Sequence, residues 1–220
     1  DVTGYYFRGD VTLANLDTDP ALEIIAAAVD GHIYAYNADG NPVTGWSSST
    51  SAPSNVQESV AVGDTDRDGK MEILVRHYQG LIAYNHDGTI AWQVSLGSPD
   101  ASPTIGDVDG DHSLDIVLDD TQGSTPSILC LNSAGGQKFR TVLPDQSETP
   151  QGLSLADIDG NGHLEIYVTT VKFSDQSGRV RALSDLGTFL QASWPASASG
   201  SLASESIIAD IDGDGAGEVV

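Results

Sequence analysis

The chain has 220 residues, one cysteine, and 32 acids against 9 bases, for a formal net charge of −23. A charge this negative argues against gripping a nucleic-acid backbone or an anionic membrane, both of which need clustered Lys and Arg. One cysteine allows no internal disulfide, and no apolar run approaches the roughly 18 residues of a membrane span. Disorder is also excluded, because 39% of the residues are hydrophobic and they fall in ordered runs. The chain opens on Asp1-Val-Thr3 with no visible signal peptide, so it reads as a mature product or a fragment.

In chain order, the first predicted element is a short apolar strand, Val11-Thr-Leu-Ala14. It enters an acidic loop, Asn15-Leu-Asp17-Thr-Asp19, which Glu23 closes four residues later. A second strand starts at Ile24, a third is Ile33-Tyr-Ala-Tyr36, and Asn37-Ala-Asp-Gly40 predicts a hairpin turn into a fourth strand with Trp46. The same succession then restarts. Val60-Ala-Val62 enters Asp64-Thr-Asp66-Arg-Asp68, closed by Glu72. Ile73-Leu-Val75, Leu81-Ile-Ala-Tyr84, the turn Asn85-His-Asp-Gly88 and a strand with Trp92 follow. The third unit runs from Ser102-Pro-Thr-Ile105 through Asp107-Val-Asp109-Gly-Asp111 and Asp115 to a strand with Phe139. The fourth runs from Leu153-Ser-Leu-Ala156 through Asp157-Ile-Asp159-Gly-Asn161 and Glu165 to a strand with Trp194. A fifth begins at Ile207-Ile-Ala209 with Asp210-Ile-Asp212-Gly-Asp214 and Glu218, and the sequence ends at Val220.

The loop starts lie 49, 43, 50 and 53 residues apart, a period that points to a repeat architecture. Four short strands per unit, without a helical period, predict an all-β chain. The strands are too apolar for a sheet with one wet face. Stacking four-stranded antiparallel sheets radially buries both faces of each and limits exposed edges. The expected fold is therefore a β-propeller, with repeats at about 10–54, 55–99, 100–146, 147–200 and 201–220 of one domain. Four full blades and the start of a fifth suggest part of a six- to eight-bladed ring, or neighbouring copies that complete each other's blades.

The pattern Asp-x-Asp-x-Asp-Gly-x-x-Glu/Asp framed by strands resembles the FG-GAP / VCBS repeat, the calcium-binding propeller of integrin α-subunit heads and many secreted bacterial proteins. The resemblance runs from Val11 to Val220. The third and fourth strands, as in His32-Ile-Tyr-Ala-Tyr-Asn-Ala-Asp-Gly40, also resemble quinoprotein-type propellers, over half of each unit.

The loops themselves argue for a hard divalent cation. Ca²⁺ takes about six to eight oxygen ligands in a flexible shell, and alternate residues of a tight loop aim side-chain oxygens at one point. The second loop offers Asp64, Asp66, Asp68, the Lys70 carbonyl and Glu72, with Gly69 for the sharp turn. The fifth offers Asp210, Asp212, Asp214 and Glu218. The third offers Asp107, Asp109, Asp111 and Asp115, with His112 where a left-handed residue is needed. The fourth offers Asp157, Asp159, Asn161 and Glu165. The first offers Asn15, Asp17, Asp19 and Glu23, but Pro20 sits at the turn position and proline cannot take positive φ. Up to five Ca²⁺ ions are expected, one per loop, with the first loop the poorest. An EF-hand would need an acid at position 12, which is here Ala26, Val75, Leu118 and Val168. The competing reading is that the Asp residues only cap turns by local hydrogen bonds.

No nucleophile recurs beside the loops, so calcium is expected to be structural. Cys130 aligns with Ala35, Ala83 and Ala182 and reads as core. His32, His77, His86, His112 and His163 fall at different repeat positions and form no triad pattern. Arg8-Gly9-Asp10 reads as strand entry, and Trp46, Trp92, Phe139 and Trp194 as inter-blade packing. The resemblance implies a non-catalytic, extracellular or cell-surface scaffold for adhesion or ligand binding. Its partners would be a protein, a glycan or neighbouring copies of the chain, met through the variable segments 42–56, 121–127, 143–152 and 194–205. The alternative is the propeller of a secreted polysaccharide lyase or hydrolase, for which no catalytic constellation is visible among the nine bases.

Overall fold

The structure, a computed structural model, describes residues 10–17, 19–46, 56, 60–98, 101–121, 125–190, 196–198, 206–212 and 217–219. Every named element is a strand, and every strand pair is antiparallel. The chain divides into two compact units: residues 1–103 with 121–123, and residues 104–120 with 124–220.

The first unit holds two sheets. One is β1 (Thr12–Ala14), β2 (Glu23–Ala27) and β3 (Ile33–Tyr36), in that order. The other is β4 (Ala61–Gly63), β5 (Glu72–His77), β6 (Gly80–Tyr84) and β7 (Ile90–Ser95). A single apolar core joins them: Ile25, Ala27, Ile33 and Ala35 of the first sheet cluster with Ile73, Val75, Ile82 and Tyr84 of the second. β2 alternates between buried and exposed, whereas β5 and β6 are buried along their whole length. Alternation marks a strand with one wet face, and continuous burial marks one covered on both. Tyr34 and Tyr36 occupy the wetter face of β3 and stack on each other with ring centroids 6.4 Å apart.

The second unit holds β8 (Thr104–Gly106), β9 (Asp115–Asp120), β10 (Ser127–Leu131) and β11 (Gln137–Val142) as one four-stranded sheet. A second comprises β12 (Thr149–Ala156), β13 (Glu165–Lys172), β14 (Ser177–Leu183) and β15 (Ala196–Ala198). The pair β16 (Ile208–Ala209) and β17 (Glu218–Val219) begins a third. β9 and β10 are buried throughout, and β13 is buried over seven of its eight residues. Sheets approach closely at Gly106, where a Cβ would lie 2.9 Å from both Leu155 and Leu164.

The predicted hairpin turns form in all four full units by one pattern. Gly40, Gly88, Gly135 and Gly187 have positive φ and donate N–H to the carbonyls of Asn37, Asn85, Asn132 and Ser184. A left-handed residue closing a turn in this way adds a bulge, and the registers of β6–β7 and β10–β11 shift there. Neighbouring sheets are tied by a repeated hydroxyl bond that the strand pattern alone does not reveal. Thr12 Oγ1 donates to Val60 O at 3.0 Å, Thr104 Oγ1 to Leu153 O at 3.1 Å, and Ser154 Oγ to Ser206 O at 2.6 Å.

Two expectations need correction. The first sheet has three strands among the described residues: past β3 only a bridge, Tyr36 to Pro42, forms. Proline has no N–H to give a ladder, so a fourth strand cannot propagate through it. The four aromatics also do not share one structural position. Trp92 pairs with Ala83 and Phe139 with Cys130, but Trp46 lies outside any strand, and its indole donates to His86 O at 2.6 Å. Trp194 and the Arg8-Gly9 segment lie outside the described residues. Cys130 is fully buried, and burial pushes its thiol pKa up to about 12, as suits a core residue.

Candidate metal centres

Each acidic loop joins the first two strands of its sheet, so the sheet fixes both of its ends. The closing acid is the first residue of the second strand: Glu23, Glu72, Asp115, Glu165 and Glu218. Strand alternation turns that side chain inward, and the first four of these residues are at most 5% exposed. One oxygen of each closing acid accepts the N–H of the loop's second residue: Leu16 at 2.6 Å, Thr65 at 2.8 Å, Val108 at 3.3 Å, Ile158 at 3.0 Å and Ile211 at 2.9 Å. Burial raises the pKa of Glu72, Asp115 and Glu165; the charges of Asp159 and Asp157 add to the effect at Glu165.

The turn positions behave as their side chains dictate. Gly69, His112 and Gly162 have φ of 87°, 68° and 88°. Their N–H groups donate to the loop's first acid: to Asp64 at 3.1 Å, Asp107 at 2.8 Å and Asp157 at 2.8 Å. His112 thus adopts the left-handed conformation required of it, at a cost glycine avoids. Pro20 has no N–H for this bond. In the first loop Asn15 Nδ2 instead donates to Asp19 O at 2.5 Å.

Carboxylate oxygens converge in all five loops. Five trios each offer oxygens within 4.8 Å of one another: Asp17, Asp19 and Glu23; Asp64, Asp66 and Glu72; Asp107, Asp109 and Asp111; Asp157, Asp159 and Glu165; Asp210, Asp212 and Glu218. Asn15, Lys70 and Asn161, which are not acids, and the acids Asp68 and Asp115 lie outside these trios. Asp214 falls outside the described residues.

Turn capping accounts for only part of this. Asp66, Asp68, Asp111 and Asp159 each accept a backbone N–H two residues on, as small turns require. Yet Glu23 Oε1, Asp64 Oδ1, Asp107 Oδ1 and Asp109 Oδ1 are buried without a hydrogen-bond partner. A buried ionised oxygen with no donor is costly, and a cation is the group that relieves it. All-oxygen donor sets of this kind fit Ca²⁺ or Mg²⁺ better than Zn²⁺, which prefers His and Cys.

The third loop differs. Lys138, on β11, places Nζ 2.6 Å from Asp109 Oδ2 and 2.9 Å from both oxygens of Asp115. Burial alone would lower the Lys138 pKa, but its bonds to Asp109 and Asp115 raise it. The same contact lowers the pKa of Asp109. This lysine was missed from sequence because it lies 23 residues from the acid it meets. Its signal was a base next to Phe139, at the place where β7 has Ala91 beside Trp92.

Beside the first two loops lies a cleft of ≈ 480 Å³ lined by Leu16, Asp17, Thr44, Asp68, Gly69, Lys70, His86 and Asp87. Elsewhere, the second unit buries an ion cluster that no sequence motif marks. Glu148 accepts from Arg181 Nε at 2.7 Å and Nη2 at 2.8 Å, from Thr170 Oγ1 at 3.0 Å, and from Arg179. Every bond there is internal to the fold, and the cluster ties β13 and β14 to the segment before β12.

Known proteins match at two levels. Residues 15–75 match the FG-GAP-like repeat, whereas no curated protein matches the chain. Among solved structures, the chain is similar to one described as BBS1N in complex with ARL6DN, at 14% identity and a TM-score of 0.57 over 87% of this chain and 57% of that one. It is similar to a quinohemoprotein alcohol dehydrogenase of Pseudomonas putida HK5, at 15% identity and a TM-score of 0.54 over 98% and 40%. It is also similar to the V. cholerae biofilm matrix protein Bap1, at 15% identity and a TM-score of 0.50 over 87% and 42%. The chain thus spans about half the length of these structures, and likeness at such identity speaks to fold alone. Those folds are propeller-like, as the sheets here are. No helix among the described residues is long and apolar enough to cross a membrane. Residues 15–75 are thus an FG-GAP-like repeat.

Proposed function

We propose that the chain is part of a Ca²⁺-stabilised β-propeller that acts outside the cell as a non-catalytic scaffold for adhesion or ligand binding. The observation that carries the reading is the pair of buried, unpartnered carboxylate oxygens at Glu23 and Asp64, inside acidic loops that repeat once per sheet. A fold that depended on turn capping alone would not leave them without donors. Extracellular calcium at millimolar levels fills sites of even modest affinity, and the biofilm matrix protein among the structural neighbours supports that setting. The ligand would be a protein or a glycan, or a neighbouring copy of the chain. The cleft beside the first two loops is the candidate surface: Asp17, Asp68 and Asp87 give it negative charge, with Lys70 and His86 as donors. Because Asp17 and Asp68 also belong to the loops, filling the loops would set the shape and charge of that cleft.

The test is thermal unfolding with excess EGTA and with millimolar CaCl₂. A ligand present at 100 times its Kd stabilises by about 2.7 kcal/mol per site. Several sites together should therefore raise Tm by many degrees. A Tm that does not move on chelation overturns the reading.

A further inference from the structure

The third loop departs from the others at three places, and the departures fit one another. Its closing acid is Asp115 where the other four loops have Glu, one methylene shorter. Its turn residue is His112, and β11 delivers Lys138 into it. The Lys138 ammonium lies 2.6–2.9 Å from three carboxylate oxygens, two of Asp115 and one of Asp109. Both oxygens of the closing acid are engaged by it. The corresponding residue of β7, Ala91, brings no charge to the second loop.

We propose that Lys138 is a built-in cation that closes the third loop in place of Ca²⁺, so that this loop folds without metal. The inference rests on the reading that the other loops bind calcium. The ammonium holds Asp109, a member of the converging trio, and both oxygens of the closing Asp115, so it occupies two of the four acids that a calcium ion in this loop would call on. The ammonium has three N–H groups and directs them at Asp109 and Asp115. Asp107 Oδ1 and Asp109 Oδ1 are left buried without a donor. Removing the lysine therefore exposes a set of acids able to take an ion.

Two measurements test this. Calcium stoichiometry is determined by equilibrium dialysis for the wild type, Lys138→Met and Asp66→Asn. Lys138→Met is expected to bind one more equivalent than the wild type, and Asp66→Asn one fewer. In the unmodified chain, which has only three lysines, amine labelling read by peptide mass should find Lys138 protected to the same degree in CaCl₂ and in EGTA. If folded Lys138→Met gains no calcium, or if adding calcium to the wild type makes Lys138 several-fold more reactive, the lysine does not stand in for the ion, although the calcium reading survives. If the wild type binds no calcium at all, both fall together.

Discussion

At the scale of single residues, the closing acids carry two opposed duties. Glu72 Oε2 accepts N–H from Thr65 and the Thr65 hydroxyl at 2.8 and 2.9 Å, which holds the loop to the strand. The same carboxylate is buried and its pKa is raised, chiefly by burial and then by the charge of Asp66. A carboxyl whose pKa is higher folded than unfolded contributes stability that is complete below the unfolded value, about 4.5. That contribution is lost as pH rises through the folded value. Without calcium, ionised Glu72 therefore weakens the fold near pH 7. His77, whose pKa burial lowers, acts in the reverse sense, so the whole-protein profile mixes the two. Glu72→Gln isolates the carboxylate. In EGTA the variant is expected to match or exceed the wild-type Tm at about pH 7, and to lose that advantage as the pH falls through the raised pKa of Glu72 and the wild-type carboxyl takes up its proton. In calcium it is expected to be less stable than the wild type at pH 7, because a ligand charge is gone. A Gln variant that is less stable in EGTA at pH 7 and unchanged in calcium would show that hydrogen bonding alone explains Glu72.

At the scale of strands and turns, local chemistry was legible where one residue type forces one conformation. The four hairpin turns were readable because Asn or Ser opens each turn with an accepting carbonyl and a Gly three residues on supplies both the donor N–H and the left-handed conformation. The acidic loops were readable for the same reason, down to the left-handed His112 and the Pro20 that cannot take positive φ. What escaped depends on partners far along the chain. Lys138 meets Asp115 across 23 residues, and Glu148 meets Arg181 across 33. No local pattern encodes such pairs. The fourth strand of the first sheet failed through a residue already in view, since Pro42 ends the ladder at a bridge. The hairpin tips also carry tertiary packing, and one comparison separates that from backbone preference. Gly40 has φ of 84° with open space where a Cβ would stand, whereas a Cβ at Gly187, φ 73°, would collide with the Phe139 ring. Thr141 Oγ1 also donates to Gly187 O at 2.7 Å, so the tip is pinned against the neighbouring sheet. Gly40→Ala should cost only the left-handed penalty, about 1–2 kcal/mol. Gly187→Ala should add overpacking, for a total of about 2–5 kcal/mol. Equal losses in denaturant unfolding would mean that the tip does not bear on Phe139.

At the scale of the whole chain, the net charge is concentrated rather than spread. Of the 32 acids, 18 lie in the five loops and their closing positions. Filling all five with Ca²⁺ would bring the formal charge from −23 to −13; with Lys138 serving the third loop, four ions bring it to −15. Without metal, the repulsion is greatest inside each loop, where three acids share oxygens within 4.8 Å. Monovalent salt screens such repulsion, with a Debye length of about 10 Å at 0.1 M and about 3 Å at 1 M. Screening between oxygens this close is incomplete, because few ions fit between them, but the attraction of a cation atmosphere to the whole loop is not limited in this way. The expected outcome is a Tm in EGTA that climbs by several degrees as NaCl is raised from low levels to about 0.5 M. With saturating calcium the same titration should move Tm much less, because the loop charge is already neutralised and added NaCl also weakens the cation's hold on its site. The sign of the difference is the informative quantity. If NaCl stabilises the calcium-loaded protein as strongly as the chelated one, the repulsion lies in the 14 acids outside the loops rather than within them.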